Sequence, residues 1–208
     1  MSSKRAASKS RTNKNPLKVL SSKVVYNGKV FKVTSDQIKE PTGITARRDI
    51  VRHSGSVVVL AIDDSGPEPR VVLERQYRYA ARDYLWELPA GRIDPGETPL
   101  AAGKRELLEE TGYRARQWKR ALHFYSSPGF LDETMTIFFA RALTSGDAQP
   151  EEDESIECEL MPLSRVIDMI FSGKIRDGKT IAGVLCLAGS LRRGGAETQP
   201  PSPTLTTD

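Results

Sequence analysis

Apolar and polar positions fall into short runs along most of the chain, a patterning that belongs to strands rather than long helices. β-like runs occupy residues 24–26, 30–38, 45–53, 56–62, 70–77 and 84–88, separated by Gly, Pro and Asp clusters. Asn27-Gly28 between the first two marks a tight hairpin turn. The pattern then turns helical over 99–111. Thr98 offers a side-chain oxygen to the first turn, Pro99 suits the first helical position, and Gly112 can take the left-handed stop. Strand runs return at 115–118, 121–125, 134–143 and 156–161, and 162–172 and 179–191 read as two closing helices. Mixed strands with a few helices predict one α+β or α/β domain over residues 16–191.

Composition narrows the class. The 208 residues are 38% hydrophobic and 28% charged, ordinary for a globular chain with a sizeable core. The longest apolar stretch, 57–62, is far short of the ~20 residues that a membrane span needs. No apolar segment follows the N-terminal charges, so no secretory signal is expected. Two cysteines, Cys158 and Cys186, without a C-x-x-C partner argue against a disulfide framework or a zinc knuckle and fit a reducing cytoplasm. Of the net charge of +4, residues 1–15 supply +5, which leaves −1 for the remainder. The basicity is therefore a tail. It reads as a solvated, disordered arm in preference to a nucleic-acid-binding surface. Residues 192–208, with Gly194-Gly195 and the run Pro200-Pro201-Ser202-Pro203, read as a second disordered tail.

The helix over 99–111 is electrostatically awkward. Glu106 and Glu110 are i,i+4 neighbours and Glu106 and Glu109 are i,i+3 neighbours, in the half where the macrodipole favours cations. A solvated face could tolerate this. A hard divalent cation such as Mg²⁺, which prefers oxygen donors, would neutralise it.

The spacing decides between them. From Gly91 the chain reads GRIDPGETPLAAGKRELLEETGY, which fits G-x5-E-x7-R-E-U-x-E-E-x-G-U with U a bulky apolar residue. Gly91, Glu97, Arg105, Glu106, Leu107, Glu109, Glu110 and Gly112 all match, and Tyr113 departs from a usually aliphatic position. Chance would produce such a match in about one chain in a million. The segment resembles the box of the Nudix hydrolases. The resemblance implies a Nudix fold, a mixed β-sheet sandwiched between α-helices, here with an N-terminal antiparallel β extension over about residues 16–53. It also implies hydrolysis of a nucleoside diphosphate linked to another moiety. It makes Glu106 and Glu110 the principal Mg²⁺ ligands (Mn²⁺ being a possible substitute), with Glu109 and the carbonyl of Ala90 contributing. Glu97 and Arg105 form an orienting ion pair, and Gly91 and Gly112 permit the turns that enter and leave the box.

Further motifs resemble the ADP-ribose pyrophosphatase branch: YSSPGFLDE with Pro128 sixteen residues beyond Gly112, LWELPAG, RQYR and GKIRDGKT. The resemblance covers about residues 24–190. It implies cleavage of ADP-ribose to AMP and ribose 5-phosphate, with Glu133 on the Pro-Gly loop as general base beside Glu109 and Arg105. Leu131 departs from the Ser common at that position. Arg78 resembles the branch's pyrophosphate-binding arginine, and Arg47, Arg48 and Phe31 are candidates for the adenosine end. The branch commonly forms domain-swapped homodimers, in which Phe31 would act in the neighbouring subunit.

Other conspicuous residues read as structural. His53 and His123 show no metal-triad spacing, Trp86 and Trp118 belong in a core, and the acid-rich stretch 151–159 reads as a solvated linker. Glu87 fits either a core position or a metal rim and is not assigned. Two further readings of the box remain: hydrolysis of another nucleoside diphosphate sugar such as GDP-mannose, and a non-catalytic domain that senses ADP-ribose. Loss of box carboxylates would favour the sensor, and here none is missing.

Overall fold

The structure is a computed structural model that describes residues 16–148 and 156–193. These contain ten strands and three helices, in two compact units. Residues 16–54 and 125–133 make up one, and the remainder make up the other. The expected basic tail lies outside the described residues, as does all of the C-terminal tail beyond residue 193. Among the described residues no helix is long and apolar enough to cross a membrane.

The smaller unit is an antiparallel sheet of β1 (Lys18–Asn27), β2 (Lys32–Lys39) and β3 (Thr45–Arg52) in that order. Its first hairpin turns at Asn27-Gly28, where the Gly28 N–H donates to the Phe31 carbonyl at 3.0 Å. β1 begins six residues earlier than its apolar run suggested, because pairing with β2 carries it through the polar stretch around Ser21 and Ser22. Every residue of β1 is exposed, apolar ones included.

The larger unit holds a mixed sheet. Its main order is β10 (Ile156–Pro162), β5 (Arg70–Arg78), β4 (Ser56–Asp63), β9 (Thr134–Thr144) and β8 (Arg114–Tyr125). β6 (Asp83–Glu87) pairs with β5 and β7 (Ala90–Arg92) with β4. β4 and β9 run parallel while β4–β5, β5–β6 and β5–β10 are antiparallel. Residues 57–62 of β4 are fully buried, and their alternation splits them between two layers. Val58, Leu60 and Ile62 pack with Val166 and Met169 of α2 (Leu163–Phe171) and with Val184 and Leu187 of α3 (Gly178–Arg192). On the other face Val59 and Ala61 pack with Leu107, and Val57 packs with Ala102, both from α1 (Pro99–Thr111). The sheet is thus sandwiched between helices.

α1 has the bounds and caps that its sequence prescribes. The Thr98 side chain accepts from the Ala101 N–H at 3.2 Å, and Gly112 sits at φ 72° with its N–H donating to the Leu108 carbonyl. Two other expectations need correction. The runs 115–118 and 121–125 are one strand, β8, because an exposed Lys119-Arg120 pair does not interrupt a ladder. In the acid-rich stretch, Glu157 and Glu159 lie on β10, opposite Arg75 and Leu73, while 151–155 fall outside the described residues.

The larger unit buries one carboxylate whose side-chain hydrogen-bonding neighbour is another carboxyl, that of Glu110. Glu74 on β5 is 0% exposed, and neither side-chain oxygen has an ordinary hydrogen-bond donor among the described residues. Burial raises its pKa to about 7, Lys179 opposing this and the Glu87 charge across the ladder adding to it. A carboxyl with a raised folded-state value contributes full stability below its unfolded value and loses that contribution as pH climbs through about 7. We therefore expect Glu74→Gln to gain stability relative to the parent between about pH 4.5 and 7 in metal-free buffer. The gain is on the order of 3 kcal/mol, several degrees in Tm. Melting both proteins across that range checks this, and a flat difference would show that Glu74 titrates normally.

Candidate active site

The motif at residues 91–113 folds as a loop feeding α1, in the larger unit. Gly91 serves there through the space it leaves rather than through its φ. A Cβ at that position would sit 1.8 Å from Oε1 of Glu106, so only glycine lets this carboxylate lie against the backbone. The neighbouring Ala90 N–H donates to Oε2 of Glu110 at 3.0 Å. Loop and helix are joined by Arg105. Its Nε and Nη2 donate to the two oxygens of Glu97 at 3.2 and 3.0 Å, and Nη2 also donates to the Arg92 carbonyl. Nη1 donates to Glu106 at 2.7 Å and Glu109 at 3.1 Å. One guanidinium therefore bridges three carboxylates and eases the Glu106–Glu109 repulsion, while Glu110 accepts from the backbone instead. The Glu97 bond, with those to Glu106 and Glu109, pushes the Arg105 pKa up against burial, and Arg105 in turn holds Glu97 below the ordinary carboxylate value.

Glu106, Glu109 and Glu110 offer hard oxygen donors, and the Ala90 carbonyl lies on the strand beside Gly91. This donor set suits a hard divalent cation, and the Gly91 cradle keeps the Glu106 carboxylate at the loop. Among the described residues no three His, Cys, Asp or Glu side chains already converge as a preformed metal cage.

Arg78, at the end of β5, is brought to the same unit. It forks onto Glu87 of β6, Nε to Oε1 at 2.8 Å and Nη2 to Oε2 at 3.0 Å. The Glu110 charge is among those that raise the Arg78 pKa, after the dominant Glu87 bond. Glu87 is also paired with Lys179 of α3, which in turn lies 3.1 Å from Asp177. Burial alone would push Glu87 up, but the Arg78 fork and Lys179 hold it below the usual carboxylate range. Asp177 caps α3, accepting from the Thr180 N–H at 3.0 Å, and the Thr180 hydroxyl accepts from the Leu88 N–H at 2.8 Å. Sequence reading left Glu87 unassigned and passed over Glu74 and Lys179. The available signs were a Glu inside LWELPAG and a Lys at the start of a helix in GKIRDGKT.

The remaining candidates lie in the smaller unit. The loop 125–133 is laced to β3: Val51 N–H donates to the Phe130 carbonyl, Asp132 N–H to the Val51 carbonyl, and His53 N–H to the Asp132 carboxylate. Glu133 accepts from the Ser126 hydroxyl at 2.8 Å and faces His53 Nδ1 at 3.6 Å, so this histidine does not stand alone. Arg47 and Arg48 point to opposite faces of β3, as adjacent strand residues must. Arg47 pairs with Asp49 and Arg48 with Glu40, all near the surface. Phe31 is exposed, stacks at 5.5 Å on Tyr26, and lines a cavity of about 360 Å³ with Asn27, Lys32 and Arg52. A second cavity of about 280 Å³ is lined by Ile50, Arg52, Tyr125 and Asp132, among others. Arg52 thus borders both, held by Asp36 at 2.6 Å and Asp132 at 3.1 Å, and sequence reading did not single it out. Its partners lie 16 and 80 positions away in the chain, where no local pattern shows them.

Comparison with known proteins places this geometry. The model of the NUDIX domain matches residues 52–183. A "Methanol dehydrogenase activator" of Bacillus methanolicus is 35% identical over 169 residues, covering 80% of this chain and 90% of its own. An "ADP-ribose pyrophosphatase" of Bacillus subtilis is 34% identical over 165 residues, covering 78% and 88%. A solved structure titled "Crystal structure of ADP compounds hydrolase" superposes with a TM-score of 0.73 at 23% identity, over 87% of this chain and 97% of that one. At that identity the superposition speaks for the fold. The box carboxylates cradled by Gly91, the guanidinium that joins them and the helix-sandwiched mixed sheet belong together: the chain is a member of the Nudix family and a Nudix hydrolase.

Proposed function

We propose that the enzyme hydrolyses the pyrophosphate bond of ADP-ribose, or of a closely related ADP-sugar, to AMP and ribose 5-phosphate. The observation that carries pyrophosphate hydrolysis is Arg78. Its guanidinium is fixed on Glu87 within the electrostatic reach of Glu110, so a phosphate-binding fork and the box carboxylates share one unit. The likeness to the Bacillus subtilis pyrophosphatase extends over more of the chain, 78%, than the equally identical likeness to GDP-mannose pyrophosphatases, 66%, and so favours ADP-ribose. The catalytic domain is read as residues 16–191, with the stretch to about 53 as its β extension.

Glu106, Glu110 and Glu109, with the Ala90 carbonyl, would hold Mg²⁺, with Mn²⁺ as a substitute. The cation would offset charge building on the pyrophosphate oxygens. Arg78 binds and orients the pyrophosphate. Arg105 keeps Glu97, Glu106 and Glu109 aimed along the loop. Glu133, steadied by Ser126, takes the proton from the attacking water as its oxygen joins phosphorus and the bridging P–O bond breaks. Phe31, Arg47 and Arg48 serve the adenosine end, and Arg52 joins them as a wall of both cavities.

The enzyme is read as a homodimer. On β1 and its turn, Val19, Leu20, Val24, Val25, Tyr26 and Val30 are each more than 50% exposed in the single chain. A row of this kind on an edge strand is an aggregation hazard unless covered, and a second copy covering it would remove the hazard. Unpaired thiols at Cys158 and Cys186 suit the cytoplasm.

The test is a panel of ADP-ribose, GDP-mannose, NADH and diadenosine polyphosphates at equal concentration, with and without Mg²⁺, products resolved by chromatography. AMP and ribose 5-phosphate should form fastest from ADP-ribose and only with the cation. Faster turnover of another compound would move the substrate, and binding without any hydrolysis would revive the sensor. Glu110→Gln should lower kcat by roughly 10²-fold or more while leaving the melting transition cooperative. Undiminished turnover would remove Glu110 from the cation site. For Glu133→Gln we expect kcat to fall by about 10²–10⁴-fold with KM little changed. Equal losses in binding and turnover would end its assignment as base.

A further inference from the structure

Arg78 and Glu87 differ sharply in exposure: the arginine side chain is 38% exposed and the glutamate side chain 2%. The carboxylate is therefore part of the interior, while the guanidinium emerges from it. The contact is a side-on fork through Nε and Nη2, at 2.8 and 3.0 Å. A guanidinium carries five N–H groups in one plane. Two are committed to Glu87, which leaves both on Nη1 and one on Nη2 along the edges turned away from the carboxylate. An arginine side chain left to itself must surrender rotamer entropy to present such an edge. The fork makes that payment during folding, before any ligand arrives.

Glu87 is itself held from the opposite side. Lys179 Nζ pairs with Oε2, and Asp177, which caps α3, lies 3.1 Å from the same ammonium. One buried carboxylate is thereby shared by cations from β5 and α3, and removing either leaves its charge less compensated in the interior.

We propose that Glu87 is a positioning residue: its carboxylate aims the three uncommitted N–H groups of Arg78 at the substrate pyrophosphate, and Lys179 fixes the carboxylate from α3. The proposal rests on the reading that Arg78 contacts the pyrophosphate, and its test separates the two. The competing role for Glu87 is a strut that merely ties β6 to β5 and α3.

Dissociation constants for inorganic pyrophosphate and for α,β-methylene ADP-ribose, which cannot be cleaved, would be measured by calorimetry with Mg²⁺. The proteins are the parent, Glu87→Gln, Arg78→Lys and the double variant, each with its Tm. Glu87→Gln should bind both probes about 10-fold more weakly. The double variant should bind no more weakly than Arg78→Lys alone, because Glu87 acts only through Arg78. A strut predicts a lowered Tm with losses that add in the double variant, and that outcome overturns the proposal. So does parent-like affinity in Glu87→Gln when Arg78→Lys is weak. Parent-like affinity in Arg78→Lys removes Arg78 from the pyrophosphate, and the proposal falls with that reading. A parent that binds pyrophosphate but not the analogue overturns ADP-ribose as substrate alone, and the cycle is then read on pyrophosphate. A parent that binds neither probe overturns both readings. Should Glu87→Gln fail to melt cooperatively, Glu87→Asp takes its place. It keeps the charge, draws the carboxylate back by one methylene, and should show the same non-additive loss.

Discussion

The larger unit is organised around buried carboxylates that must find partners. Glu74, Glu87 and Glu110 are each less than 10% exposed, and the cations that reach them are Arg78 and Lys179. Burying an ionised carboxylate without a partner costs several kcal/mol, so each position has to resolve its charge differently. Glu87 has two cations and stays ionised. Glu110 takes a backbone N–H from Ala90 and so ties α1 to β7. Glu74 meets the Glu110 carboxyl and no ordinary donor among the described residues, and is driven toward its neutral form. The placement of α3 follows from the same constraint. Lys179 must reach Glu87, and the adjacent Asp177 and Thr180 then lock the helix start onto Leu88. A ligand that delivers a cation and takes up an exposed guanidinium edge would suit such a balance.

α1 shows how a helix can carry charges that work against it. Like charges at i,i+3 and i,i+4 weaken a helix by a few tenths of a kcal/mol per pair, and nothing basic occupies its last turn. The loss is offset by the Thr98 cap, by Pro99 at the first position, and by burial of Ala102 and Leu107 against β4. Arg105 lowers the remaining repulsion by bridging Glu106 and Glu109. Helix stability therefore comes from the ends and the packed face, which leaves the carboxylate face available for chemistry.

What could be read from the chain was whatever depends on near neighbours. The bounds of α1 were legible because Thr98, Pro99 and Gly112 act within a turn of their own positions. The Asn27-Gly28 turn was legible for the same reason. β7 was not, since three residues have too little pattern of their own and form a strand only because β4 lies alongside. The continuity of β8 was hidden by Lys119 and Arg120, whose polarity says loop while the ladder accepts them. The box was legible through spacing, whereas its support was not. Glu87 acquires meaning only from a register that places it opposite Glu74 and within reach of Arg78, and from a helix start ninety-two positions later. Arg52 and Arg48 share one face of β3 and Arg47 the other, a distinction that follows from strand alternation once the strand is known.

The distribution of candidate residues between the two units has its own consequence. The box glutamates, Arg105 and Arg78 all belong to the larger unit, whereas Phe31, Arg47, Arg48, Arg52 and Glu133 belong to the smaller. Every nucleoside diphosphate sugar has a pyrophosphate, and the groups proposed for it and for the cation, Arg78 on β5 and the glutamates of α1, sit in an ion-pair network where substitution disturbs burial and charge together. The base and sugar vary between substrates, and the groups proposed for them, Phe31, Arg47 and Arg48, stand at the surface of the three-stranded sheet and its first turn. On such a surface most substitutions change stability by no more than about half a kcal/mol. On the proposed reading specificity can therefore drift at Phe31, Arg47 and Arg48, while Glu133 in the same unit and the charged network of the larger one are held fixed by the chemistry they share.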